Sequence, residues 1–181
     1  MNHQDELNYI ERIRNGETNL YSHFVTCYSH SIYSLIVRIV ITKEDAEELT
    51  QDSFLKAFKK LDSFKGDCSF STWLFRIAYN TAISATRKRK MVFPMVDETM
   101  MESVPDDAIE TFFDADEDEM RLQKLEEAIT KLNAEEKALI TLFYTEGKSV
   151  AELARVLDLT NDNVKVKLYR VRKKLYVLMT K

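Results

Sequence analysis

The chain has 181 residues, enough for one domain or two small ones, and its 45% hydrophobic content can supply a packed core. Three glycines and two prolines are too few for an all-β protein built on tight turns, and no apolar run reaches the ~18–20 residues of a membrane span. The formal charge of −4 looks unfavourable for a nucleic-acid binder, yet residues 91–120 contain no Lys or Arg while eleven Asp and Glu lie between Asp97 and Glu119, so the flanking blocks are neutral to basic.

The start, MNHQDELNYI, has neither a basic n-region nor an apolar h-region, so no signal peptide is expected. Residues 4–14 read as a short helix ended near Gly16. Residues 19–40 give a longer one, with Leu20, Phe24, Cys27, Ser31 and Leu35 near one face. His23, Cys27 and His30 also share a face and invite a metal reading. Cys27 belongs to the apolar stripe, however, and a fourth ligand has no source, so no metal is expected. Cys27 and Cys68 make a poor disulfide framework and read as reduced thiols of a cytoplasmic protein.

Thr42 can cap a third helix over 43–61, with Ala46, Leu49, Ser53, Ala57 and Leu61 inward and Phe54 and Phe58 beside them. Glu44, Glu48, Gln51 and Asp52 fall on the opposite side. Next come a short aromatic loop and a helix capped by Ser69 or Ser71, running to Lys90 and ending in four cations that suit the negative pole of the helix dipole. On that helix Arg76, Asn80 and Arg87 lie within about a tenth of a turn of one another, while Trp73 and Ile77 point to a neighbouring, core sector. An aromatic loop followed by a concentrated basic end is a nucleic-acid pattern. Phe64 and Phe70 can stack bases or simply close the core, and core is the stronger reading for Phe70.

Residues 91–116 contain both prolines and show no clear periodicity, which reads as an acidic flexible linker. Its apolar residues Met91, Phe93, Met95, Met100, Met101, Phe112 and Phe113 are unusual for a solvated tether; it either lies on its own domains or in a partner's groove. A second block begins near residue 117. Leu122, Leu125, Ala128, Ile129 and Leu132 give one helix, and capping boxes at Asn133/Glu136 and Ser149/Glu152 open two more. After a turn at 158–161 a final helix runs over 162–179, with Val164, Leu168, Val171, Leu175 and Leu178 as its stripe. Lys165, Lys167, Arg170, Arg172, Lys173 and Lys174 fill its remaining surface, with Tyr169 among them. Short helix, polar turn and long basic helix is the layout of a helix-turn-helix; a merely solvated basic face is the bland alternative. No Gly-rich phosphate loop, zinc-protease motif or nucleophile elbow is present, so neither an enzyme nor a cofactor is expected.

Taken together, D-A-E-E-L-T-Q-D-S-F at 45–54, F-K-G-D-C-S-F-S-T-W-L-F-R-I-A-Y-N at 64–80, L-N-A-E-E-K at 132–137, S-V-A-E-L-A at 149–154 and N-V-K-V-K-L-Y-R-V-R-K-K-L at 163–175 resemble bacterial sigma factors of the sigma-70 family, in the extracytoplasmic-function class. The resemblance implies an all-α fold of two helical domains, 1–90 and 117–181, joined by the segment 91–116. It implies that the first domain binds the β′ clamp helices of core RNA polymerase through Asp45, Glu48, Gln51 and Asp52, and melts the minus-ten element. The residues matching the flipped-base pocket are Phe64, Lys65, Gly66, Asp67, Cys68, Ser69 and Phe70, together with Asn80, which offers a donor and an acceptor to a base edge. Arg76, Arg87, Lys88, Arg89 and Lys90 match phosphate contacts.

The second domain would read the minus-thirty-five element through Lys165, Val166, Tyr169 and Arg170, place Lys167 and Arg172 on phosphates, and sit on the β flap. The family often has glycine where this chain has Asp158 and Asp162; Asp accommodates left-handed backbone better than most residues. Val166, often Ser in relatives, has no hydrogen-bonding group and suits a thymine methyl. In related factors the linker threads toward the RNA exit path, where its acids imitate RNA. Many relatives are also held inactive by an anti-sigma factor. A stand-alone helix-turn-helix regulator with a helical sensor or dimerisation domain is the competing reading.

Overall fold

The computed structural model describes residues 3–89, 92, 96, 98–114 and 119–180; within them are ten α-helices and no strand. Helix α1 (His3–Arg14) stops at Gly16, whose φ of 109° an L-side chain would resist. Helix α2 (Tyr21–Ile39) follows a short 3₁₀ turn. Helix α3 (Lys43–Lys59) starts where the Thr42 hydroxyl accepts the Asp45 N–H at 3.1 Å. Helix α4 (Phe70–Lys88) is capped by Ser69, whose hydroxyl accepts the Thr72 N–H at 3.2 Å; Ser71 is not the cap. Such caps stabilise a helix by about 1 kcal/mol.

These helices bury Phe24, Ile32, Leu35, Ile36 and Ile39 of α2 against Ala46, Phe54 and Ala57 of α3 and Phe70, Leu74, Phe75 and Ala78 of α4. Cys27 departs from the expected inner stripe. It is exposed, because the buried face of α2 runs through Phe24, Ile32 and Leu35 and leaves Cys27 at its edge. The ring of His23 lies 5.0 Å from that of Tyr9. No cluster of three or more potential metal ligands forms among the described residues.

The segment expected to be an unstructured tether contains two helices, α5 (Glu98–Glu102) and α6 (Asp106–Asp114). Val104 and Ile109 close a small apolar cluster with Val177, and Phe112 meets Tyr176 edge to face at 5.0 Å. The apolar residues of this stretch thus lie on the protein's own last helix. Met91, Phe93, Met95 and the side chain of Phe113 fall outside the described residues.

Helix α7 (Glu119–Thr130) leads to α8 (Ala134–Ile140), which widens into a π-type turn over Thr141–Thr145. Helix α9 (Val150–Leu157) and α10 (Asn161–Thr180) complete the block. Both expected capping boxes form, at Asn133/Glu136 and Ser149/Glu152. Asp158 adopts the left-handed conformation (φ 57°, ψ 49°) that ends α9 and permits the turn into α10. On α10 the stripe Val164, Leu168, Val171 and Leu175 is buried. Lys174 is not the surface cation expected of it: it is buried, and its ammonium donates at 2.8 Å to the carboxylate of Glu136, the capping-box residue of α8.

The two blocks dock on one another, α4 against α9 and α2 against α8, and share a continuous apolar core. The seam is also polar. The buried Thr72 hydroxyl donates to Glu152 at 3.0 Å, and the Lys148 ammonium reaches Ser71 at 2.9 Å and Glu152 at 3.2 Å. Among the described residues, no helix is long and apolar enough to cross a membrane. Replacing Asp158 with a β-branched residue should expose the cost of left-handed backbone. Asp158→Val is expected to lower stability by roughly 1–2 kcal/mol and Asp158→Gly to change it by less than about 1 kcal/mol, read from urea unfolding midpoints.

Candidate nucleic-acid interface

The loop before α4 is built around buried aromatic rings. Phe70 is 0% exposed and Phe64 4% exposed; Phe70 stacks against Phe24 at 4.1 Å, and Phe64 and Trp73 close around it at 5.9 and 5.7 Å. Phe70 is fully enclosed in the core, and Phe64, almost buried, borders the recess beside the loop; both rings fix the loop's position. What the loop leaves outward is Lys65 and Asp67, with Gly66, Cys68 and Ser69 half-buried. Gly66 has a φ of 77°, and a Cβ there would stand 3.2 Å from Leu7. With Trp73, Arg76 and Arg155 of α9, the loop lines a recess of about 180 Å³. Burial pushes the Cys68 thiol up, against the pull of Arg155, so it stays protonated at neutral pH.

Asn80 is exposed, as its spacing predicts, but the structure does not bring it into that recess. It lines a separate cavity of about 440 Å³ between the blocks, with Tyr79, Ile83 and Arg87 on one side and Leu139, Lys167, Arg170 and Val171 on the other. Arg76, Arg87 and Arg89 are already engaged within the chain. Arg76 pairs with Asp158 at 3.3 Å and Arg87 with Glu135 at 3.7 Å. Arg89 chelates both carboxylate oxygens of Asp45, which holds that carboxyl below its ordinary range and raises the guanidinium. A residue expected on DNA phosphate and one expected on polymerase therefore meet each other. Lys88 is exposed, and Lys90 lies outside the described residues.

Glu48 and Gln51 are exposed and Asp52 half-buried along α3. Beside Gln51 runs an open apolar groove between α2 and α3, lined by Val25, Phe54, Leu55 and Phe58, with Leu55 56% exposed. The sequence reading missed Leu55 and Val25. Leu55 carried a signal, a large apolar residue four positions after Gln51 on the polar face of α3; Val25, on α2, carried none.

On α10 the residues expected to read bases, Lys165, Val166, Tyr169 and Arg170, are exposed on one face, as is Lys167. This face is partly covered. Met101 and Glu102 border it, and Asp106 accepts a hydrogen bond from the Tyr169 hydroxyl and lies 3.4 Å from the Lys173 ammonium. The Tyr169 hydroxyl, followed by Lys173, holds the Asp106 carboxyl below its usual range. Arg172, expected on phosphate, donates to the Tyr144 hydroxyl at 2.6 Å, and Lys165 stands 3.7 Å from Asp162. A helix whose cations and aromatic hydroxyl pair with an acidic segment has the chemistry to pair with phosphates instead.

The sigma-70 region 2 profile matches residues 24–91 and the sigma-70 region 4 profile matches residues 122–175. An ECF RNA polymerase sigma-E factor of Haemophilus influenzae is 30% identical over 173 residues, 90% of this chain and 89% of that one. The ECF RNA polymerase sigma factor SigW of Bacillus subtilis is 28% identical over 180 residues, 92% of each chain. Among solved structures, CnrH in complex with the cytosolic domain of CnrY gives a TM-score of 0.67 at 23% identity over 97% of both chains. The sigma factor RpoE in complex with the anti-sigma factor NepR, from Bartonella quintana, gives 0.64 at 23% identity over 88% of this chain and 96% of that one.

The seam between the blocks makes its own prediction. Burial pushes the Glu152 carboxyl upward, but the Ser149 N–H, Lys148 and the Thr72 hydroxyl together hold it below the ordinary 4.5. A depressed carboxylate contributes stability that is present above its ordinary value and lost as pH falls through the folded one. Folded stability, read from urea unfolding midpoints, should fall below pH about 4.5, and Glu152→Gln should remove that part of the acid sensitivity.

Proposed function

The chain belongs to the sigma-70 family, in its extracytoplasmic-function group, and from that membership we propose that it binds core RNA polymerase and directs it to promoters carrying its own minus-ten and minus-thirty-five elements. The observation that carries this is the joint presence, in one chain, of the region 2 match over the loop and α4 and the region 4 match over the helix-turn-helix. A stand-alone regulator has no use for the first of these. The protein acts in the cytoplasm, where polymerase is, and does its work by binding alone, without catalytic chemistry or a cofactor.

Lys65, Asp67 and the recess beside Trp73 and Arg76 hold the extruded minus-ten base, with Asn80 one turn further along α4 reading a neighbouring edge. Arg76, Arg87, Lys88 and Lys90 hold backbone. Arg170 and Lys165 read the upstream element in the major groove, with Val166 against a thymine methyl, while Lys167 and Arg172 sit on phosphates. Glu48, Gln51 and Asp52, flanking the apolar groove of Leu55 and Phe58, meet the β′ clamp helices, and the C-terminal block meets the β flap.

Length decides what the docked arrangement can do. Elements about 25 base pairs apart are separated by roughly 85 Å of duplex, whereas a compact chain of this size has a radius of gyration of roughly 16 Å. Asn80 and Arg170 line one cavity here, so the blocks part before both elements are read. The docked form is the free factor. An anti-sigma factor is the natural partner to hold it so.

Core polymerase mixed with this chain alone should support promoter-dependent transcription; a regulator would need a second sigma factor. Arg170→Ala is expected to cost about 1–3 kcal/mol on the preferred upstream sequence and little on scrambled DNA. Lys167→Ala should weaken both alike and reduce the salt slope by roughly one. Equal losses on both DNAs for the two variants would remove Arg170 from base reading. Asn80→Ala should leave duplex binding intact while slowing open-complex formation.

A further inference from the structure

Helix α1 precedes the region 2 match and has no part in the function described so far. It nevertheless grips the loop at three points. At the loop's first turn, the Arg14 guanidinium donates to the carbonyls of Leu61 at 2.7 Å and Phe64 at 2.6 Å. At its middle, Leu7 lies against Gly66, leaving no room for a side chain there without a shift. At its end, the carboxylate of Glu6 accepts the Phe70 N–H at 3.1 Å, at the N-terminus of α4, and the Tyr28 hydroxyl at 2.5 Å.

Glu6 is 3% exposed. A carboxylate that deep is retained only where its oxygens are occupied, and here both are: one by the start of α4, the other by α2. Arg14 reaches both carbonyls from one terminal guanidinium nitrogen, while its Nε lies 3.8 Å from the Asp62 carboxylate. No α1 residue is among those lining the 180 Å³ recess. Whatever α1 does for that recess, it does through the backbone of the loop.

We propose that Glu6 and Arg14 are positioning residues for minus-ten strand capture, with α1 acting as a clamp that sets the shape of the loop before the base arrives. This rests on the reading of the loop as the base pocket. An already shaped recess spares the ordering entropy that a mobile loop would lose on capture.

The test uses full-length protein with core polymerase and a single-stranded minus-ten oligonucleotide carrying 2-aminopurine at the extruded position. Arg14→Ala should weaken strand capture by about tenfold while leaving core affinity and upstream duplex affinity within about twofold, and Arg14→Lys should recover part of it. Glu6→Gln, which keeps an acceptor for the Phe70 N–H, should be milder than Glu6→Ala. Ile10→Val loosens the core contact of α1 while leaving every hydrogen bond from Glu6 and Arg14 in place, and serves as the matched-stability control. Wild-type capture by Arg14→Ala, or an equal loss of capture by Ile10→Val at the same melting temperature, overturns the clamp. Lys65→Ala and Asp67→Ala separate the two failures. If they impair capture while Arg14→Ala does not, the pocket stands and the clamp falls; if none of the three alters capture, both fall.

Discussion

The burial of Phe70 is the constraint on which the first block depends. One ring, with no exposed surface, touches Phe24 and Tyr28 of α2 and the rings of Phe64 and Trp73. Aromatic contacts of this kind contribute about 0.5–1.5 kcal/mol each beyond their area. Because Phe70 is also the first residue of α4, its burial fixes where that helix begins, and so where Arg76 and Asn80 emerge. The loop has to bend to deliver the ring, and Gly66 supplies the backbone conformation that makes the bend. The shape of the loop's outer surface is a consequence of apolar packing on its inner one.

Much of this was legible in the sequence because it is local. Capping boxes at Asn133 and Ser149, the Thr42 cap and the stripe of α10 as far as Leu175 each follow from a few neighbouring residues, and all of them form, while the end of the stripe shifts from Leu178 to Val177 and Met179. The failures are long-range. Arg89 and Asp45 are 44 positions apart, so nothing in either neighbourhood announces that the two would pair. Lys174 looked like one more surface cation until Glu136 of another helix reached it. Residues 98–114 fold because Val104, Ile109 and Phe112 find a surface on α10, and a periodicity count cannot see that surface. Cys27 was misplaced by a single stripe drawn too wide.

Charge segregation is the second organising feature. The acids between Asp97 and Glu119 are not an inert spacer, since Asp106 satisfies Tyr169 and Lys173 on the exposed face of α10. Across the seam, Glu135 and Asp158 do the same for Arg87 and Arg76. These pairs are exposed, and such pairs are individually worth about 0–1 kcal/mol, so they direct docking more than they hold it. The apolar contact of α4 with α9 and of α2 with α8 supplies the cohesion, and parting the blocks exposes it to whatever partner takes its place.

The grip of Glu6 and Arg14 also bears on where this protein can be divided. A fragment cut to the boundaries of family likeness, residues 24–91, would carry the loop and all of α4. It would also strip the partners from the Phe70 N–H and the Phe64 carbonyl, two backbone groups beside an aromatic core, and leave the Leu61 carbonyl only the Phe64 N–H. Each such loss costs about 1–3 kcal/mol where water cannot substitute. Shared ancestry and self-sufficiency therefore draw different borders in this chain, and the smallest piece that can stand alone begins in α1.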